Sequence, residues 1–245
     1  MKKNIITTLC FAVIAILCCC GIAGAQVLIP ELITTESSLY TNEEIEAASE
    51  IVLAKFMEWE GCDLYLLRYA GDERSLNELE ITNKDADEPY DECMLFISAF
   101  RSSDDETMTW APMEDYVWSW TLVRKDGGEW ELKNFGWAEP YLKSNQYSIY
   151  DLTGGLDEIW YAMEQMEGVK LLHISYTNDE TSAESLEYIN SFEIGKYDEC
   201  AVFEVWFMSP EEAYGAWEAD SFYIWTWYLG RSNKGIWETV SFGVG

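Results

Sequence analysis

Apolar residues Ile45, Ala48, Val52, Phe56 and Trp59 recur at steps of three and four. That spacing draws one apolar stripe down an α-helix. Thr41 precedes Glu44 by three, the spacing of a capping box, and Tyr40 and Ile45 are placed as a hydrophobic staple. Gly61 is positioned to end the helix. Strand-like runs follow at 63–69, 94–100, 116–124 and 129–135, while 75–82 fits either a short helix or a loop.

The same pattern returns 107 residues later. Tyr90-Asp91-Glu92-Cys93 recurs as Tyr197-Asp198-Glu199-Cys200, and Tyr116-x-Trp118-x-Trp120 as Tyr223-x-Trp225-x-Trp227. Aligned without a gap, 39–138 and 146–245 share 29 identities in 100 positions. Repetition at that length is the signature of a duplicated domain. The chain divides into 1–25, a leader 26–38, repeat one at 39–138, a linker 139–146 and repeat two at 147–245. Repeat two keeps Tyr147, Ser148 and Asp151 at its cap and Leu152, Ile159, Met163 and Met166 on its face. Gly154-Gly155 weakens its first turns, so its helix is expected to be the shorter.

The last two runs of each copy make a hairpin. Its turn reads Asp126-Gly127-Gly128 in one copy and Asn233-Lys234-Gly235 in the other, with only the final Gly shared. A three-residue loop with a left-handed Gly at that place predicts Leu122 opposite Leu132 and Arg124 opposite Trp130. One face then gathers Tyr116, Trp118, Trp120, Leu122, Trp130 and Leu132, and the other is polar. Each copy thus reads helix, strand, a variable piece and three antiparallel strands. This is an α+β layout with one N-terminal helix on a curved antiparallel sheet of about four strands. By analogy of element order it is the arrangement of cystatin-like and NTF2-like folds.

Tyr40-Thr41-x-Glu43-x-Ile45, Gly61-Cys62, Arg68-Tyr69-Ala70-Gly71-Asp72-Glu73, Asp87-Glu88 and Trp118-x-Trp120-x-Leu122-Val123-Arg124-x-x-Gly127-Gly128-x-Trp130 together resemble an uncharacterised group of exported bacterial domains. Those look like small NTF2-like or cystatin-like modules. Copy two departs from the pattern at Val169, Thr177-Asn178 and Lys234, where copy one has Cys62, Ala70-Gly71 and Gly127. The resemblance implies fold and compartment and carries no activity with it.

The N-terminus supports the same compartment. Lys2-Lys3, an apolar run to about Cys20, and Ala23-Gly24-Ala25 before Gln26 form an export signal cleaved between Ala25 and Gln26. The run is too short to span a membrane, so no integral span is expected after cleavage and the protein is expected to be secreted or extracytoplasmic. Leu17 before Cys18-Cys19-Cys20 fits a lipobox loosely, which leaves lipoprotein anchoring as the alternative. Cys62, Cys93 and Cys200 lie beyond the signal, too few for a disulfide framework, and are read as buried free thiols in strands.

Composition narrows the function. The 245 residues hold 45 Asp+Glu against 15 Lys+Arg, a formal charge of −30. Phosphate backbones and anionic membrane surfaces are repelled, so nucleic acid is excluded as a partner, while cationic proteins are attracted. One histidine, His173, rules out a multi-histidine metal site, and because it aligns with Leu66 it is read as an ordinary strand residue. Asn83-x-Asp85-x-Asp87 has the opening spacing of a calcium loop but lacks its Gly and its twelfth-place Glu, so no metal is assigned. Arg124 and Arg231, with Asp91-Glu92 and Asp198-Glu199, are read as ion pairs or strand-end solvation. No cofactor motif and no catalytic residue is assigned.

The aromatic stripe Tyr116, Trp118, Trp120 and its twin Tyr223, Trp225, Trp227 is the candidate ligand site. The leading reading is core beneath the helix, and the other is a cone whose indoles stack on a sugar or a flat apolar ligand. The functional expectation is a non-enzymatic exported module binding a protein or small ligand. The alternative is an NTF2-like enzyme, an isomerase, dehydratase or hydrolase, using a carboxylate buried in the cone.

Overall fold

A computed structural model describes residues 31–33, 36–84, 86–106, 110–192, 196–213 and 217–244. The segment read as an export signal, with Ala25, Gln26 and Cys18 to Cys20, lies outside them.

The first half holds β1 (Glu31–Ile33), α1 (Asn42–Phe56), β2 (Asp63–Tyr69), α2 (Asp72–Asn83), β3 (Glu92–Arg101), β4 (Asp115–Arg124) and β5 (Glu131–Trp137). The second holds α3 (Ile149–Glu164), β6 (Lys170–Tyr176), α4 (Asp179–Asn190), β7 (Glu199–Met208), β8 (Phe222–Arg231) and β9 (Glu238–Gly243). The molecule is α+β, with two sheets ordered β1-β2-β3-β4-β5 and β6-β7-β8-β9. All pairings are antiparallel except β1 with β2.

The helices begin where a side chain answers their free N–H groups. Thr41 and Glu44 close a capping box on α1, and Ser148 and Asp151 close one on α3. Tyr40 and Ile45 are both buried, as the staple requires. α1 lays Ile45, Ala48, Val52 and Phe56 on its sheet, and α3 lays Leu152, Gly155, Ile159 and Met163 on the other. α3 is not the shorter helix: it has 16 residues against 15. Its Gly155 answers a packing demand, since a Cβ there would stand 2.9 Å from the Phe203 ring. The stretch 75–82 is helix, within α2.

The two sheets pair in step at the offset of 107. Glu92 faces Arg124 as Glu199 faces Arg231, and Trp120 faces Phe135 as Trp227 faces Phe242. Even the irregularities coincide: a bulge skips Tyr65 in β2 and Leu172 in β6. Leu122 faces Leu132, as the turn analysis expected. The turn itself differs. The left-handed residues are Asp126 and Gly127, and Asn233 and Lys234, and Gly128 and Gly235 close the turn by donating to Lys125 and Ser232 carbonyls. Two successive positive φ angles thus sit at the centre of each turn in place of one left-handed Gly at its end, while the register next to the turn is that of the three-residue loop. The shared Gly survives for space: a Cβ at Gly128 or Gly235 would lie 3.1 Å from the same carbonyl oxygen. Beyond Leu122 the ladder slips by one, so Trp120 meets Phe135.

The leader and the linker are parts of the folded halves. β1 adds a parallel edge strand to β2, and Ser37 and Ser38 bind Asp72. The linker repeats this, with Ser144 and Asn145 on Asp179 and the Tyr176 N–H donating to the Tyr141 carbonyl. Pro140, aligned with Ile33, has no N–H to donate, and no strand forms there.

Each sheet carries its long helix on one face. The opposite faces pack on each other. Leu66, Ile97, Ala99 and Val117 meet Trp206, with Leu172, Phe222 and Ile224 at the margin. Arg68 crosses this junction to the Glu204 carboxylate at 2.6 Å, and Tyr65 stacks on Phe222. α2 and α4 cover what remains of those faces, α4 through Ile189 on Cys200 and Val202.

Candidate functional site

Alternation places Tyr116, Trp118 and Trp120 on the α1 side of β4, and Tyr223, Trp225 and Trp227 on the α3 side of β8. Trp120 and Trp227 are both fully buried. Their indole N–H groups donate to the Ser98 hydroxyl at 2.8 Å and the Thr239 hydroxyl at 3.2 Å. Tyr116 is buried and its hydroxyl accepts from the Ala111 N–H, while Tyr223 is half-buried and accepts from Glu218. Trp118 and Trp225 are half-buried, and among the described residues their N–H groups lack a partner.

The ring faces are occupied. Phe135 stacks on Trp118, and Trp59 and Trp110 meet it edge-on with centroids 5.2 and 5.4 Å away. Phe242 stacks on Trp225 and on Trp227, at 5.4 and 4.3 Å. The six aromatics therefore lie in two separate clusters, each a nest of offset and edge-to-face contacts that stabilises its half.

The shared ions close each half at its polar end. Arg124 bonds Glu92 and Glu44, and Arg231 bonds Glu199 and Asp151. Each guanidinium lies over a tryptophan, Trp130 at 4.4 Å and Trp237 at 4.2 Å. Hydrogen bonds from Ser148 and then Arg231 hold the Asp151 carboxyl down to about 2. Asp91 and Asp198 each accept the turn N–H of Asp126 or Asn233. Asn83 clasps the Tyr90 backbone, as Asn190 clasps Tyr197, so the opening residue of the calcium-like spacing serves a loop. Asp85 lies outside the described residues, and among those described no three His, Cys, Asp or Glu are grouped to hold a metal.

The three cysteines are free thiols, Cys93 and Cys200 buried in strands and Cys62 half-buried just before β2. Burial pushes the Cys93 and Cys200 thiols up to about 12, far from the reactive thiolate. His173 is buried in the junction, its Nε2 2.6 Å from the Ser175 hydroxyl. Burial first, and the Arg74 charge second, lower its pKa to about 4, so its imidazole is neutral at pH 7.

Sequence reasoning did not find the junction. Its clue was in β3 and β7, which are apolar at nearly every position from Cys93 to Phe100 and from Cys200 to Met208. A strand apolar on both faces is covered on both faces. Nor did it single out Arg74, which α2 brings to a groove of about 370 Å³ beside the linker. A second groove of about 510 Å³ lies between α3 and the β8–β9 turn, lined by Tyr150, Gly154, Asp157, Ile236 and Trp237.

No known protein family, characterised protein or solved structure matches the chain. Among the described residues no helix is long and apolar enough to cross a membrane.

Proposed function

We propose that the protein is an exported, acidic binding module built from two fused cystatin-like or NTF2-like units, and that it acts by binding a cationic protein or a small ligand rather than by catalysis. The observation that carries this reading is the filling of both cones. Where an NTF2-like enzyme keeps its cavity, between helix and sheet, Trp120 and Trp227 stand with zero exposure. The enzyme alternative needs a carboxylate buried among those rings. Asp115, with its side chain 4% exposed, and Glu204 are instead held by Arg101 and Arg68 at the junction.

A charge of −30 favours encounter with basic partners at a rate that falls as salt is added. The test is an NMR titration of the ¹⁵N-labelled protein with a lysine-rich peptide and with its glutamine-substituted counterpart, at two ionic strengths. Shifts confined to one face with the lysine peptide, weakened by salt, support the reading. Shifts spread evenly over the surface, or none, refute it.

A further inference from the structure

The chain has five arginines, and four are paired with carboxylates: Arg68 with Glu204, Arg101 with Asp115, Arg124 with Glu92 and Arg231 with Asp151, at 2.5 to 2.9 Å. The fifth, Arg74, has no carboxylate partner among the described residues. It is 9% exposed. Its guanidinium lies over the Tyr141 ring at 4.7 Å, and one nitrogen donates to the Tyr176 carbonyl at 3.2 Å. A guanidinium carries five N–H donors, and although the charges of Glu204 and Glu73 act on it, neither carboxylate is bonded to it, which is costly for a buried cation. In a chain with three acids for every base, such a vacancy is a specific feature.

Arg74 lines the 370 Å³ groove between α2, the outer face of the first sheet and the linker. The other walls are largely apolar. Ile81 and Trp137 stand exposed at its lips, 59% and 66%, and Leu95, Ile97 and Leu142 line it. The volume lies within the range of about 300–1,000 Å³ usual for small-molecule sites, which favour domain boundaries. Of the two lining carboxylates, Glu78 already accepts from the Thr121 hydroxyl and Glu139 is exposed. Lys143 bonds Asn77 at the rim. The second half differs at the matching positions. Thr181 replaces Arg74, and Ile189 closes over Val202, which is fully buried where Leu95 is half-buried. The larger groove near α3 lacks this feature, because Arg231 there is already paired twice.

We propose that this groove binds a carboxylic acid with an apolar tail, the carboxylate against Arg74 and the tail along Ile81, Leu95 and Trp137. A planar guanidinium matches a carboxylate through two parallel hydrogen bonds, and the exposed apolar lips gain by covering a hydrocarbon chain. A free fatty acid and the C-terminus of an apolar peptide share this chemistry. The inference deepens the binding-module reading by naming a ligand class.

The test titrates octanoate, and a tripeptide ending in leucine with a free carboxylate, against the ¹⁵N-labelled protein. Octanamide and the C-terminally amidated peptide are the neutral controls. The readout is the indole cross-peak of Trp137, assigned with Trp137→Phe. A saturable shift is expected with at least one acid, about tenfold weaker or absent with its amide. Octanoate alone points to a free fatty acid, and the peptide alone to a chain terminus. Arg74→Gln weakens the binding by about tenfold or more. Should that variant unfold, Ile81→Glu, at an exposed position, places a competing carboxylate in the groove and abolishes binding in a folded protein. If neither acid moves the Trp137 signal, or if acids bind Ile81→Glu as they bind the parent, the proposal is overturned. The lysine-peptide titration separates the two ideas: its shifts surviving while both acids fail removes only this site.

Discussion

Glu44 and Asp151 differ by one methylene, yet both close the same ring of bonds. Each caps its helix, accepts from the cap residue's N–H, and then pairs with an arginine that ends β4 or β8. The arginine in turn ties down the glutamate that starts β3 or β7, Glu92 or Glu199. One carboxylate thus joins a helix start to a sheet corner, which is why the position stays acidic. His173 makes the opposite case, a residue with no twin. Arg74, Arg68 and Glu204 supply the charges that bear on it, and Ser175 and Trp206 touch it. Its pKa is lowered from the ordinary 6.5 to about 4, so the unfolded chain takes up the proton first. Stability is then unaffected by this group above pH 6.5 and falls as pH drops from 6.5 towards 4, by at most about 1.4 kcal/mol per pH unit. His173→Leu, which installs the residue found at Leu66, should flatten that slope between pH 5 and 6.5 in urea unfolding. Parallel slopes for parent and variant would exclude His173 as the cause.

Elements were legible wherever a local rule sufficed. The helix stripe, its capping box and the sides of the β4 residues follow from periodicity and from single hydrogen bonds within a few residues. Two capping boxes of the same kind give a matched expectation. Thr41→Ala and Ser148→Ala should each cost about 1 kcal/mol, seen as a fall of about 2–4 °C in Tm. The costs should add in the double variant, because the sites are distant. A loss in only one would show that the other helix is held by packing alone. Local rules failed at α3, where helix propensity counts Gly155 as a weakness and packing against Phe203 needs it. They failed also at the turns, where Asp126 with Gly127, and Asn233 with Lys234, take the left-handed pair themselves.

Across the whole molecule, three of the scarce cations tie the halves together at the junction. Arg68 pairs with Glu204, Arg101 with Asp115 and Asp220, and Lys170 with Glu114 and Asp115, leaving the outer surface strongly acidic. Burial raises the Glu204 carboxyl, and the hydrogen bonds and charge of Arg68 outweigh it, so the group stays below its ordinary value. Glu204→Ile, the residue found at Ile97, strands the Arg68 charge and should cost about 3 kcal/mol. Arg68→Ser with Glu204→Ile should recover more than half of that, since neither charge is left alone. Simple addition of the two costs in urea unfolding would mean that this pair does not join the halves.

Periodicity, caps and a shared offset of 107 determined the elements, their inward faces and the likeness of the two halves, because each rests on residues near in sequence or on direct repetition. Only the tertiary structure decided which outward faces meet, and that Arg74 lies buried at a groove with no carboxylate paired to it among the described residues. Those outcomes depend on the fit of two surfaces whose partners, such as Arg68 and Glu204, stand 136 residues apart. No local pattern encodes that fit, because the outer faces have diverged further than the cores.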